Sequence, residues 1–375
     1  MTLIVDLFAG PGGWDYGART VGLEPVGIEL GRWACATRAA AGLRTIRADV
    51  AAIPVEPFTG KVHGLIGSPP CPAFSVAGDG RGVDLLPALC GHVHVCRDGV
   101  WRPWTGDPDP LVWLSLEPLR WAFAVQPTWI ALEQVPPVLP LWQAYAHTFE
   151  HLGWHTWAGV LCAANYGVPQ VRHRAFLMAH RDRQPWPPAP THAKEPGGLF
   201  GLAPWISLAD ALGWTEAPSW SWGRSDGTRR RVSAAKPAHT VMGRCTTRWA
   251  YRPGGGAVLH TNRGQDEHGN RQVVTVDRAA PTVSGKASSQ WVFHRPATTV
   301  AADDRIAKPG HHNWGNGRVN GEGIRVQLWE LGVLQGFPAD YPWQGNKTER
   351  AQQIGNAVPP PLAARVLGAV TGRGL

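Results

Sequence analysis

The sequence predicts an α/β fold, in which a doubly wound sheet with helices on its faces is interrupted by a loop-rich insertion. Short apolar segments alternate with helical segments over residues 3–66, which is typical of a parallel sheet covered by helices. A glycine-rich turn, residues 10–13, follows the first apolar segment, where open sheets of this class bind ligands. Between about residues 185 and 321 the helical pattern stops, and proline, glycine, arginine and tryptophan become frequent.

The predicted elements follow one another in a regular order. Each predicted strand is a short apolar run, and these runs occupy residues 3–5, 25–28, 45–48, 62–66 and 129–132. Helices are predicted from the turn to about Thr20 and at residues 33–41, 117–125, 143–152, 325–334 and 361–370. Because helices return after residue 321, the loop-rich segment interrupts one α/β body.

Composition excludes several classes of protein. The 375 residues are 43% hydrophobic, enough for a sizeable core, and 45 glycines and 34 prolines stay below the share of low-complexity chains. No apolar run approaches the roughly 18–20 residues of a membrane helix. Six cysteines in so long a chain do not make a disulfide scaffold. We expect no signal peptide, because an acidic residue, Asp6, already interrupts the first apolar residues. We expect a cytoplasmic protein with no membrane association.

The positive charge is concentrated in one part of the chain. The net charge is +8, but residues 181–325 hold 20 basic and 11 acidic residues, a net charge of +9, and the remainder is nearly neutral. This asymmetry favours a neutral catalytic body joined to a part that binds a polyanion. A soluble protein with a high isoelectric point is the alternative that charge alone leaves open.

The turn after the first strand predicts a nucleoside-binding site. Its glycines let the backbone approach a ligand closely, but Asp15 stands where the dinucleotide motif G-x-G-x-x-G has its last glycine. Glu29 and Asp49 follow the second and third strands, where carboxylates can bind a ribose hydroxyl and an adenine amine. Each acid alone is typical of a solvated loop. Together they indicate a nucleoside-bearing cofactor without a pyrophosphate, and S-adenosylmethionine fits that description.

Cys71 lies in a loop that prolines stiffen on both sides, directly after the fourth strand. A lone cysteine is usually a small buried apolar residue, but this one lies at the ligand end of the sheet. Here the chain resembles the cytosine-C5 DNA methyltransferases of bacterial or phage type, over residues 3–178 and about 322–370. The motifs that carry the resemblance occur in the family's order: DLFAGPGG at 6–13 with Trp14, GIE at 27–29, AD at 48–49, SPPC at 68–71, DPL at 109–111, EQV at 133–135, QVRHR at 170–174, LQGFP at 334–338 and IGNAVPP at 354–360.

The resemblance implies two domains. Residues 1–178 and 322–375 would form a Rossmann-like S-adenosylmethionine-dependent methyltransferase domain with a doubly wound sheet. Residues 179–321 would form a smaller, loop-rich target recognition domain that binds double-stranded DNA. In the DNA-binding set we place Gln170 and the arginine run Arg229, Arg230 and Arg231.

The resemblance also implies a catalytic and a cofactor-binding set. Cys71 would add to C6 of a flipped-out cytosine, with Arg172 and Arg174 favouring its thiolate. Glu133 would bind N3 and the exocyclic amine of the base. For the cofactor, Phe8 would stack on adenine, Glu29 would bind the ribose and Asp49 the adenine edge. The rest of the expected cofactor site consists of Gly10, Gly12, Gly13, Pro70, Leu111 and Asn356.

Three features depart from the family pattern. Pro72 follows the nucleophile where the family often has Gln, and Gln134 stands where it usually has Asn. An insertion at about residues 79–105 separates the nucleophile loop from the next motif. Inside it Cys90, His92, His94 and Cys96 alternate, which predicts one face of a strand in a hairpin. Ligands placed in a line about 20 Å long cannot converge on one zinc ion, so we expect no metal site.

Rival functions remain at this point. An RNA cytosine-C5 methyltransferase is one, because relatives of the family act on tRNA, and a catalytically silent DNA-binding relative is another. An NAD-dependent dehydrogenase fails on the glycine spacing. We expect a monomer, and a cognate restriction endonuclease acting separately is a candidate partner.

Overall fold

The computed structural model describes residues 3–74, 81–195, 201–213 and 327–374, together with the backbone of six strands between residues 219 and 274. Among these residues, no helix has the length and apolar character needed to cross a membrane.

In the described ranges, seven strands and eight longer helices build the main body. The strands are β1 Leu3–Leu7, β2 Val26–Glu29, β3 Thr45–Arg47, β4 Val62–Gly67, β5 Trp129–Gln134, β6 His155–Cys162 and β7 His173–His180. The helices are α1 Gly13–Thr20, α2 Arg32–Ala40, α3 Leu86–Val95, α4 Glu117–Val125, α5 Leu139–His151, α6 Leu328–Leu334, α7 Lys347–Asn356 and α8 Pro360–Thr371. Outside the insertion at about residues 79–105, every strand and helix predicted from the sequence in this body is present, with ends shifted by a few residues.

The strands form one sheet in the order β3-β2-β1-β4-β5-β7-β6. The first five are parallel, as predicted, but β7 pairs antiparallel with both β5 and β6. The sheet is therefore mixed. Only ten residues connect β6 to β7, too few for a helical crossover, so these two strands must run antiparallel.

Both faces of the sheet are covered, which confirms the doubly wound arrangement. One core contains Trp121 of α4 together with Trp142 and Tyr145 of α5, packed against apolar residues of β1, β4 and β5. On the other face Trp14 of α1 and Leu362 of α8 belong to a second core. Because α8 is the last helix of the chain and α1 the first, the two ends of the sequence close this side of the sheet together.

The insertion after the nucleophile loop corrects one prediction. The segment with Cys90 and His92 is helix α3, not a strand of a hairpin. The fully buried residues of this segment, Leu89, Val93 and Cys96, are spaced by four and then three positions, which is helical periodicity, and this outweighs the alternation of Cys and His. His92 Nε2 lies 3.0 Å from the carbonyl oxygen of Arg102. Within the described ranges no group of three or more potential metal-ligating side chains occurs.

Most described elements of the basic segment, residues 181–325, are short, as predicted, but the strand Gly255–Gln265 has 11 residues. Apart from one short helix, Leu208–Leu212, they are strands: His192–Ala193, Ala203–Pro204, Ser219–Gly223, Arg229–Ser233, Ala238–His239, Arg248–Arg252, Gly255–Gln265 and Arg271–Val274. Ser219–Gly223 pairs antiparallel with Arg229–Ser233, and the last three strands form an antiparallel sheet. Ala238–His239 pairs with Gln170–Val171 of the main body.

Candidate active site

A cleft of about 1320 Å³ opens at the carboxyl ends of the parallel strands. Most residues that the sequence singled out line it: Phe8, Gly10, Gly13, Glu29, Asp49, Pro70, Cys71, Leu111, Glu133, Arg172, Arg174 and Asn356. Gly12 and Gln170 are not part of the lining. The side chains of Arg229, Arg230 and Arg231 lie outside the described part of the structure.

The glycine-rich turn needs its glycines for two different reasons. Gly12 has φ 103°, a left-handed conformation that a side chain would strain. At Gly13 a Cβ atom would collide with the carbonyl oxygen of Val358, so the turn is packed directly against the chain that follows α7. Phe8 also has a positive φ, 57°, which is uncommon for an aromatic residue. The backbone here is shaped to expose one side of the turn to the cleft.

Glu29 and Asp49 are fixed by backbone donors. The Glu29 carboxylate accepts hydrogen bonds from Gly10 N at 2.8 Å and from Gly31 N at 2.6 Å. Asp49 is exposed, and its Oδ1 accepts from Ala51 N at 2.9 Å. A carboxylate oxygen has room for more than one donor. Both acids can therefore still bind hydroxyl or amine donors of a ligand in the cleft.

Asp15, which breaks the dinucleotide motif, has a structural partner. Its carboxylate forms a two-point ion pair with Arg38, with both N–O distances 2.7 Å, and both side chains are buried. Arg38 also donates to Thr45 Oγ1 at 2.9 Å. This pair ties α1 to α2 and to the start of β3. Asp15 therefore has a structural role in the fold, and the turn does not have the glycine spacing of a dinucleotide site.

Cys71 lies beyond β4 in a loop with few backbone donors, since Pro69, Pro70 and Pro72 have no N–H groups. Side chains from other elements provide donors. The Gln134 amide donates to Pro69 O at 2.9 Å and to Pro70 O at 3.3 Å, and its oxygen accepts from Val135 N at 2.7 Å. The departure from the family's Asn thus has a function in the fold: Gln134 fastens the nucleophile loop to the end of β5.

Glu133 and Arg174 form a buried ion pair beside Cys71. The distance between Arg174 Nε and Glu133 Oε1 is 2.9 Å, and both side chains are less than a tenth exposed. The neighbouring Arg172 is also buried, and its Nη2 donates to the carbonyl oxygens of Gly355 at 3.0 Å and Ala357 at 3.2 Å. Arg172 Nε and Nη1 have no hydrogen-bond partner among the described residues. Buried N–H groups are normally hydrogen-bonded, so these two groups are available to an acceptor atom of a ligand.

The electrostatics at Cys71 differ from the expectation that the arginines would favour its thiolate. Burial is the largest influence and raises the pKa of the Cys71 thiol. Arg174 and Arg172 do lower the pKa, as predicted, but Glu133 raises it, and the net direction is upward. Without substrate Cys71 is therefore held as the thiol. The two arginines are visible in the sequence, but the burial that outweighs them is not.

Gln170 has a different environment from the one expected of a DNA-binding residue. Its side chain is fully buried, and its amide donates to Gln335 Oε1 at 3.0 Å and to Leu334 O at 3.3 Å. Gln335 in turn donates to Ala357 O at 2.6 Å. The structure thus places Gln170 in a buried network that joins the short strand Gln170–Val171 to the segment after α6 and to the chain after α7.

Tyr341 is a site residue that sequence reasoning missed. Its hydroxyl donates to Pro11 O at 2.6 Å, so it supports the glycine-rich turn from a position 330 residues later in the chain. Burial raises the pKa of this hydroxyl, which keeps it a donor. No local motif marks Tyr341, because its partner is a backbone carbonyl that only the folded chain brings near.

A family model described as C-5 cytosine-specific DNA methylase matches residues 2–86, 109–204 and 233–371, which is most of the sequence. The chain belongs to this family. The match has two internal gaps, residues 87–108 and 205–232. The first coincides with α3 and the loop after it, so the insertion is one place where this methylase departs from the family pattern.

Two curated relatives of this methylase match over nearly its whole length. It is 26% identical to the Type II methyltransferase M.DdeI of Desulfomicrobium norvegicum, with 96% of this chain and 86% of the relative covered. It is also 26% identical to the Type II methyltransferase M.NgoMIV of Neisseria gonorrhoeae, with 96% and 95% covered.

Solved structures show the same fold. A DNMT2 mutant of Spodoptera frugiperda superposes with a TM-score of 0.56 at 13% identity, covering 99% of this methylase and 100% of that chain. The methyltransferase EhMeth of Entamoeba histolytica gives a TM-score of 0.52 at 12% identity, with 99% and 98% covered. Membership of the family confirms methylation of DNA cytosine at C5 as the function and favours it over the RNA and catalytically silent alternatives.

Proposed function

We propose that this DNA (cytosine-5)-methyltransferase acts through a covalent bond between Cys71 and C6 of the target cytosine, with S-adenosylmethionine as the methyl donor. The observation that carries the proposal is the arrangement of one cleft. Cys71, Glu133, Arg172 and Arg174 line it together with the aromatic residue and the two acids at the ends of β1, β2 and β3. A methyl donor and a target base that are both bound in this cleft would lie next to each other.

The cofactor half of the cleft has groups that fit S-adenosylmethionine. Phe8 offers an aromatic face for adenine, Glu29 an acceptor for ribose hydroxyls and Asp49 an acceptor for the adenine amine. Pro70, Leu111 and Asn356 would complete the walls. When bound, S-adenosylmethionine supplies an activated methyl group. The chain's task is to hold the reacting carbon of the base in line with it.

In the catalytic half, the Cys71 thiol loses its proton and the thiolate adds to C6, which makes C5 nucleophilic. Glu133 would hold N3 and the exocyclic amine, stabilising the charge that develops on the ring. After C5 has gained the methyl group, its proton leaves to a base and the bond between Cys71 and C6 breaks, which restores the aromatic ring and releases Cys71 as the thiolate. The two unpaired donors of Arg172 would meet a base oxygen or a phosphate.

The target base must leave the duplex to reach Cys71, at a cost of a few kcal/mol of unstacking. We propose that residues 179–321 form the target recognition domain, and that residues 1–178 and 322–375 form the catalytic domain. The net charge of +9 over residues 181–325 supports contact with DNA phosphates. In this proposal Gln170 braces the cleft, and Arg229, Arg230 and Arg231 contact the backbone of the DNA.

Transfer of tritium from labelled S-adenosylmethionine tests this function. Duplex DNA and tRNA are offered separately to the full chain, with Cys71→Ala as the control. We expect label in DNA, none in tRNA and none with Cys71→Ala. Bisulfite sequencing of DNA from cells that express the protein then gives the target site. Label in tRNA alone would overturn the proposal.

A further inference from the structure

Trp14 connects the glycine-rich turn to the nucleophile loop through one hydrogen bond. It is the second residue of α1, directly after the turn, and its side chain is buried, with the exposed fraction only 2%. Its indole Nε1 donates to Ser68 Oγ at 2.9 Å. A buried indole N–H needs such a partner, so the bond is strongly favoured once α1 packs on the sheet.

Trp14 is held rigidly at its other side. Its ring packs edge-on against Phe176 of β7, with centroids 6.0 Å apart and the planes at 86°. The preceding Gly13 lies against Val358. The indole can therefore act as a fixed point for Ser68, because its ring packs against Phe176 and the start of α1 packs against Val358.

Ser68 is the last residue of the nucleophile loop that has an N–H group before Cys71. Its N–H donates to Leu7 O at 3.2 Å, and its hydroxyl receives the indole of Trp14. The next two residues, Pro69 and Pro70, have restricted φ angles and form a stiff link. A shift at Ser68 would therefore act on Pro69 and Pro70, the two residues that precede Cys71.

Resting on the proposed role of Cys71, we propose that Trp14 is a positioning residue for the methyl-transfer reaction. Its indole N–H fixes Ser68, and through the two prolines it sets where the Cys71 thiol stands relative to the bound methyl donor. Because the same residue lies in the first turn of the helix behind the cofactor turn, it connects the two halves of the cleft. Misplacement of a reacting group by about 1 Å is enough to lower a rate by orders of magnitude.

Three single variants separate the hydrogen bond from the packing. Trp14→Phe keeps an aromatic ring against Phe176 but removes the donor, and Ser68→Ala removes the acceptor. Ser68→Thr keeps a hydroxyl and is the matched control. The measured quantities are the single-turnover rate of adduct formation with 5-fluorocytosine DNA, kcat and KM for S-adenosylmethionine, and the thermal midpoint.

We expect Trp14→Phe and Ser68→Ala each to slow adduct formation and kcat by about tenfold or more. KM for S-adenosylmethionine should change little, and the rates of Ser68→Thr should stay close to those of the parent. A variant that combines Trp14→Phe with Ser68→Ala should be no slower than the slower of the two single variants, because both remove the same hydrogen bond. A purely structural role would lower the thermal midpoint without this pattern.

Unchanged adduct rates in both Trp14→Phe and Ser68→Ala would overturn the proposal. If Trp14→Phe does not fold, the comparison of adduct rates between Ser68→Ala and Ser68→Thr is the deciding test. Failure of the proposed function is distinguishable, since in that case the parent protein itself forms no adduct.

Discussion

The guanidinium of Arg174 is bound to the carboxylate of Glu133 by a 2.9 Å hydrogen bond in the interior of the protein, beside the thiol of Cys71. Glu133 is at the end of β5 and Arg174 near the start of β7, so the antiparallel pairing of these strands creates the pair. Because the Glu133–Arg174 ion pair is buried, removing either side chain leaves the other as a buried charge without a counter-charge.

Arg174→Met tests this pair. We expect the free energy of unfolding to fall by about 3 kcal/mol, because the buried Glu133 carboxylate is left without its counter-charge. The methylation rate should fall by roughly 10²-fold, since Glu133 is no longer oriented toward the base. Denaturant unfolding and single-turnover methylation measure the two effects. The control is Arg102→Met, which breaks the exposed Asp98–Arg102 ion pair and should leave both quantities near the parent. Equal effects of the two variants would contradict this account.

The pH dependence of Cys71 alkylation tests the electrostatics of the cleft. The thiolate is the reactive form, and burial raises the pKa of Cys71, so its alkylation should rise at higher pH than that of an ordinary cysteine. Glu133→Gln removes a negative charge and should move the midpoint of the alkylation profile of Cys71 to lower pH. Arg174→Gln removes a positive charge and should move it to higher pH. Peptide mapping by mass spectrometry follows Cys71 alone, and shifts of the same sign in both variants would exclude this arrangement.

Glu29→Gln tests the cofactor half of the cleft. The amide keeps the shape of the side chain but removes the charge and one acceptor, so affinity for S-adenosylmethionine should fall by roughly tenfold or more. Calorimetric titration measures it, and Asp49→Ala should act in the same direction. Glu56→Gln changes an exposed glutamate outside the cleft and is the control. DNA binding should survive in all three, and unchanged cofactor affinity in Glu29→Gln and Asp49→Ala would refute the assignment.

Changing Arg229, Arg230 and Arg231 together to Ala tests the basic segment. Three adjacent arginines suit phosphate binding, and each phosphate that an arginine no longer neutralises flattens the slope of log affinity against log salt by about 0.9. We expect a slope flatter by up to about 2–3 units and a similar decrease in affinity for target and random duplexes. Binding at several salt concentrations measures this. An unchanged slope would place these arginines away from the DNA, and a changed target site would mean that they read bases.

Local patterns in the sequence were sufficient for most of the parallel sheet and for the members of the cleft. The apolar runs of β1 to β5 and the motifs at their ends depend on neighbours in sequence, so they can be recognised without the fold. Strands β6 and β7 were missed, and the helical spacing of Leu89, Val93 and Cys96 was overlooked in favour of the alternating cysteines and histidines.

The remaining features arise from residues distant in sequence. Arg38 with Asp15, Gln134 with Pro69 and Tyr341 with Pro11 each join elements whose proximity only the folded sheet creates. The raised pKa of Cys71 has the same origin. Its arginine neighbours belong to a motif, but the burial that outweighs them is a property of the closed cleft.

The most direct test of the central claim is a covalent trap for Cys71. In 5-fluorocytosine the C5 proton is replaced by fluorine, so the enzyme cannot complete elimination and the adduct persists. Mixed-sequence duplexes in which 5-fluorocytosine replaces cytosine are incubated with S-adenosylmethionine and the parent protein, Cys71→Ala or Cys90→Ala, the last changing a cysteine of α3 outside the cleft. Denaturing electrophoresis should show a protein–DNA adduct for the parent and for Cys90→Ala and none for Cys71→Ala. An equal amount of adduct with Cys71→Ala would contradict the account.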